Sequence, residues 1–129
     1  MTSLEAAALW VGLNALLLIF LSVRVGSVRM KHKINLGDGG NDAMTKAIRT
    51  QGNYIEYAPA AIVGLVLLAL LNAPVIGIHL LGGVFFFARV SHLLGLGMGV
   101  WPMGRMIGTV LTMLTLLVTG LWLIWTALV

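Results

Sequence analysis

Residues 49–71 read RTQGNYIEYAPAAIVGLVLLALL. The run from Tyr54 to Leu71 is close to the roughly 20 apolar residues that a helix needs to cross a hydrocarbon core. Its apolar residues are continuous and do not alternate with period two, so it predicts a helix and not a barrel strand. The other end of the stretch is different. Arg49, Asn53 and Glu56 stand at i, i+4 and i+7, on one stripe of that same helix, with Tyr57 one turn beyond Asn53. A membrane span whose first turns carry a polar stripe needs a reason for each charge, because a charge at mid-membrane costs at least about 2.5 kcal/mol.

Three more apolar stretches flank this one, Leu4 to Val23, Pro74 to Met98 and Met103 to Val129. The composition agrees: 129 residues are 60% hydrophobic and 9% charged, with mean hydropathy +1.03. That composition lacks the polar surface of a soluble domain. The expected fold is a single domain over 1–129, an all-α antiparallel four-helix bundle in the membrane. Cysteine is absent, which excludes disulfides, thiolate metal sites and a cysteine nucleophile. Histidines 32, 79 and 92 lack metal-site spacing, so no metal is expected. The N-terminus has no basic n-region or small-residue cleavage site, and it reads as a retained helix.

All eight lysines and arginines lie in or near two connections, Arg24 to Arg49 and Gly95 to Gly104. With four spans these connections share one side, which the positive-inside rule makes cytoplasmic, and both termini are then periplasmic. Basic residues here read as topology signals, not as a nucleic-acid surface. The predicted outcome is a periplasmic signal from a reporter fused after Val129 and a cytoplasmic one from a reporter at Gly39. A cytoplasmic C-terminal reporter overturns the orientation. Within the first connection, Gly37-Asp38-Gly39-Gly40 marks a sharp turn, and Asn41 or Asp42 is placed to cap a helix running through Lys46 and Arg49 into the second span. Leu71-Asn72-Ala73-Pro74 is a tight uncharged turn.

Helix three carries Arg89 and His92 at i, i+3, and helix four begins with Arg105. Together with Arg49, Asn53, Glu56 and Tyr57 they occupy the cytoplasmic halves of their helices. One account ties helices two and three by a buried Glu56–Arg89 ion pair. It leaves Arg49, Asn53, Tyr57, His92 and Arg105 crowded at one depth without a role. A small anionic, polar ligand entering from the cytoplasm suits that cluster, since arginines offer forked donors to carboxylates and Glu56 accepts from an ammonium. Asn14 reads as an interhelical hydrogen bond, His79 as interfacial, and the threonines at 109, 112, 115 and 119 as helix packing. Pro59 is expected to kink helix two.

Arg49-Thr-Gln-Gly-Asn53-Tyr-Ile-Glu56-Tyr57-Ala-Pro59 resembles the signature of the MAPEG family, the membrane-associated proteins of eicosanoid and glutathione metabolism. Gly26-Ser-Val-Arg29 is similar to the end of that family's first helix, and Ala88-Arg89-Val-Ser-His92 to its third. Arg105 falls where the family's thiolate-stabilising arginine begins helix four. Gly37-Asp-Gly-Gly40 and the short loops look like the bacterial branch. Leu96 stands where several members carry a tyrosine, Gly52 where the prostaglandin synthase has a second arginine, and Met106 and Thr109 replace its polar residues.

The resemblance implies a homotrimer in the bacterial inner membrane, with glutathione between adjacent subunits. Arg29, Arg49, Asn53, Glu56, Tyr57 and His92 would contact glutathione, and Arg105 would be catalytic. The implied activity is a glutathione-dependent transferase or peroxidase acting on a lipophilic electrophile. Non-enzymatic lipid binding or scaffolding, as in the lipoxygenase-activating protein, is the alternative.

Overall fold

The computed structural model describes residues 1–129 and is entirely helical: α1 (Ser3–His32), α2 (Asp42–Leu70), α3 (Val75–His92) and α4 (Met103–Leu128), with a single π turn, Leu93–Gly97, continuing α3. All four spans, α3 taken with its π turn, are long and apolar enough to cross a membrane. In lipid every backbone donor must be satisfied inside the segment, and the helix does this locally. Side chains close the helix ends. Thr2 and Glu5 form a reciprocal capping box at α1. Asn41 Oδ1 accepts from the Met44 N–H at 2.9 Å to start α2, as its position predicts. Lys33 ends α1 in a left-handed conformation at φ 54°.

The first connection is shorter than its polar composition suggests. The sequence reading places a long polar segment from Arg24 to Arg49, whereas only Lys33–Asn41 lies outside α1 and α2. Charged residues end up on helix because their long side chains reach polar surroundings while the backbone stays bonded. Asp38 organises the link, accepting from the Gly40 N–H at 3.0 Å and from Thr45 Oγ1 at 3.0 Å. These bonds, the Gly40 one foremost, hold its carboxyl below the usual carboxylate range. The third connection also shrinks. Gly95 and Gly97 belong to the π turn, leaving Met98–Pro102 as the irregular part. The turn at Leu71–Pro74 is tight, with Asn72 at φ 60°.

α1 packs on α2 and α3, and α4 packs on α3 and α2, so α1 and α4 stand at opposite corners. Small residues line the contacts, Ala58 and Ala61 on α2, Gly82 and Ala88 on α3, Gly104 and Gly108 on α4. Without a hydrophobic drive between helices in lipid, close backbone approach supplies the packing energy. Outward surfaces remain apolar, with Leu16, Ile19, Val63, Leu67, Ile76, Leu80, Leu117 and Leu121 all exposed. Asn14 behaves as expected: its Oδ1 and carbonyl both accept from the Tyr54 hydroxyl, at 3.1 and 3.0 Å. His79 accepts from Trp10 Nε1 at 3.1 Å. α2 runs unbroken through Pro59.

Candidate functional site

The polar stripe of α2 is longer than the signature alone. Asp42, Thr45, Lys46, Arg49 and Asn53 follow the spacing i, i+3, i+4, i+7, i+11, so one face of a helix holds them all. They form one wall of an open cleft of about 430 Å³. Arg105 and Thr109 of α4 form the other, and His92 with Leu96 form the floor. The opposing walls belong to helices in direct contact.

Glycine contacts bring the α3 and α4 residues together. A Cβ on Gly95 would collide with the backbone nitrogen of Arg105, and one on Gly108 would sit 2.7 Å from the backbone nitrogen of His92. Ser91 Oγ donates to the Gly104 carbonyl at 2.9 Å across the same contact. The π turn begins directly after His92 and carries Leu96 into the cleft; such turns recur at functional sites. From the far side Arg24 donates to the Gly97 carbonyl and steadies that turn.

Behind the cleft lies a buried cation. Arg89 is 3% exposed. Its Nη1 donates to Thr112 Oγ1 at 3.2 Å and its Nη2 to Asn53 Oδ1 at 2.6 Å. The guanidinium lies 6.0 Å from the centre of the Tyr57 ring, within cation–π range. His92 is 2% exposed, and its Nδ1 has no partner in the chain, nor does Arg89 Nε.

The expected Glu56–Arg89 pair is not formed. Glu56 Oε1 instead lies 3.8 Å from Arg49 Nη1, both side chains more than half exposed at 53% and 60%. Helix geometry accounts for this. At 3.6 residues per turn Glu56 points about 60° away from Asn53, so only Asn53 reaches the α3 side.

Of the residues expected at the site, Arg49, Asn53, His92 and Arg105 line the cleft together. Glu56 sits beside Arg49 on the outer surface, and Tyr57 flanks the buried Arg89. Arg29 is not brought there. Its Nη1 donates to the Gly37 carbonyl at 2.8 Å, and it borders a separate depression with Met30, Lys33, Ile34 and Asn35. Five residues, about 140° of turn, separate Arg29 from the inward-reaching Arg24. Asp42, Thr45, Lys46 and Thr109 also line it, although the sequence reading did not assign them to the site. The extended i, i+3, i+4, i+7 pattern on α2, and Thr109 one turn after Arg105, were the signals for them. Thr112 was read as packing, yet it accepts from Arg89.

Residues 7–125 match the sequence profile described as the MAPEG family. Two relatives, each named inner membrane protein YecN, come from Escherichia coli strain K12 and from Escherichia coli O6:H1 strain CFT073. Each is 33% identical over 118 residues, covering 90% of this chain and 90% of the relative. No solved structure matches the chain.

Proposed function

The chain belongs to the MAPEG family, and from that premise we propose that it is a glutathione-dependent membrane transferase or peroxidase that activates the glutathione thiolate against a lipophilic electrophile. The observation that carries this reading is the cleft itself. Lys46, Arg49, Asn53, His92 and Arg105 line one open volume beside an apolar, lipid-facing surface. Asp42, the one acid in that lining, is already paired with Lys46 at 2.7 Å. Beyond that pair the cleft presents two arginines, Arg49 and Arg105, to an anionic ligand.

At the edge of the cleft, Arg49 in its lining and Glu56 beside it form a loose pair of opposite charges. An α-amino acid end carries the complementary pair, so its carboxylate would face Arg49 and its ammonium would face Glu56. A thiol of pKa about 8.5 is mostly protonated at neutral pH. Arg105 on the rim would favour the thiolate, and the start of α4 would add its dipole. The electrophile would arrive laterally through lipid, so that catalysis is proximity plus thiolate stabilisation.

Arg29 lies outside the cleft of its own chain, and a second copy is the simplest way for such a residue to join a site. We accordingly propose a homotrimer with glutathione between subunits, residing in the inner membrane as the relatives' name says of them.

Calorimetry on detergent-purified protein tests the ligand. Wild type should bind glutathione. Arg49→Ala or Glu56→Ala should each cost about 2 kcal/mol of binding where the contacted charges are desolvated. Unchanged affinity in both variants, with the bundle still folded by thermal melting, overturns the assignment. A second reading, lipid binding or scaffolding without chemistry, draws on Leu96, an apolar side chain in the cleft lining. Wild type that binds glutathione without forming thiolate would favour it.

A further inference from the structure

Thr112, Arg89 and Asn53 form a hydrogen-bonded chain across three helices, and its direction is fixed at every link. Thr112 uses its one hydroxyl proton on the Gly108 carbonyl at 2.7 Å. Toward Arg89 it can therefore only accept, which it does from Nη1 at 3.2 Å. A guanidinium has five N–H donors and no acceptor. Nη2, 2.6 Å from the Asn53 amide, must meet its oxygen. The Asn53 Nδ2 group is then turned the other way. It has no partner within the chain and is not among the buried unsatisfied atoms, so it is accessible from outside the fold, and Asn53 lines the open cleft.

We propose that Arg89 is a positioning residue that locks the Asn53 amide with its NH₂ group toward the cleft, making that subsite specific for a ligand acceptor, a carboxylate or a peptide carbonyl. The ligand half of the inference rests on the glutathione reading; the amide lock does not. Burial supports the assignment. Arg89 is 3% exposed and none of its hydrogen-bond partners is a carboxylate. A charge kept there has to be held by neutral oxygens, and holding them orients them. A plain helix tie would need polarity at these positions but no particular direction. Here a ligand donor would meet the Asn53 NH₂ and be rejected.

Two variants separate the lock from packing. Lysine is also donor-only, so Arg89→Lys should keep the amide orientation. Glutamine both donates and accepts, so Arg89→Gln should release it. With ¹⁵N-labelled asparagine, the Asn53 side-chain signal is identified by its loss in Asn53→Asp. It should be a single sharp pair in wild type and Arg89→Lys, and doubled or broadened in Arg89→Gln. An unchanged sharp pair in Arg89→Gln overturns the proposal, with or without a ligand.

Asn53→Asp gives the second readout. It preserves shape and gives Arg89 a carboxylate, but removes the donor from the cleft. The melting midpoint should not fall, while glutathione affinity should drop by about tenfold or more. Wild-type affinity in a folded Asn53→Asp protein would also overturn the lock's role in recognition. Wild type that fails to bind glutathione sinks the glutathione reading instead, and the amide spectrum still decides the lock.

Discussion

Arg105→Ala should lower conjugation of a generic apolar electrophile such as a chlorodinitroarene by about a hundredfold, the scale of removing one preorganised charge-stabilising group. Glutathione affinity should stay within a few-fold, because Lys46, Arg49, Asn53 and His92 still line the cleft. The midpoint of thiolate absorbance against pH should rise by about one pH unit, equivalent to 1.36 kcal/mol of differential stabilisation. The sign follows from charge. A guanidinium beside the sulfur favours its anion and lowers the pKa, so removal raises it. Arg105→Lys should recover part of the loss, since a point charge still favours the anion although the planar fork is gone. Some thiolate should survive in the alanine variant, because α4 begins at Met103 with no side chain capping its first turn. Wild-type protein that binds glutathione yet shows no thiolate at neutral pH would defeat the enzyme reading.

The other large effect is expected from a single methyl group placed at a backbone contact, on a residue that does not itself line the cleft. Gly95→Ala would drive a Cβ into the backbone of Gly104 and Arg105, where no side chain can swing aside. Overpacking of this kind costs typically about 1–3 kcal/mol, and more where backbone must move. The helix-to-helix contact that sets Arg105 beside His92 would open. Both the melting midpoint and conjugation should therefore fall together. Gly12 and Gly120 provide the control, for a Cβ at either meets nothing within 4 Å. Alanine at those sites should be tolerated or mildly stabilising through helix propensity. Equal behaviour of Gly95→Ala and Gly12→Ala in melting and in turnover would refute the close-contact account.

How far the site could be read in advance varies by residue. Arg49 and Asn53 are four apart on one helix, so helical period alone puts them on a common stripe. His92 and Arg105 each stand near the end of a span that adjoins the Met98–Pro102 connection, which gives them the same level in the bundle. Depth, however, does not say which side of a helix faces which neighbour. Glu56 shows the difference. It shares a helix with Asn53 and a level with Arg89, and charge complementarity makes a Glu56–Arg89 pair plausible. About 60° of helix rotation sends it to Arg49 on the outside, while a neutral amide meets the buried cation. Arg29 shows it again, near the end of α1 but turned toward its own loop.

Four membrane-spanning helices, their order and most of their ends follow from chain properties alone. Runs of apolar residues must satisfy their backbone internally, and capping residues such as Asn41 act on neighbours only a few positions away. These are local constraints, so a linear reading captures them. The Thr112–Arg89–Asn53 chain and the backbone contact at Gly95 are of another kind. Each depends on the rotation and separation of helices whose contacting residues lie far apart in sequence, from Gly95 against Gly104 and Arg105 to Arg89 against Asn53. Packing in lipid is governed by how closely small residues let backbones approach, a property of pairs of surfaces and not of any one segment. That is why the polar residues announce a site in the sequence, and why their partners become visible only once the helices are docked.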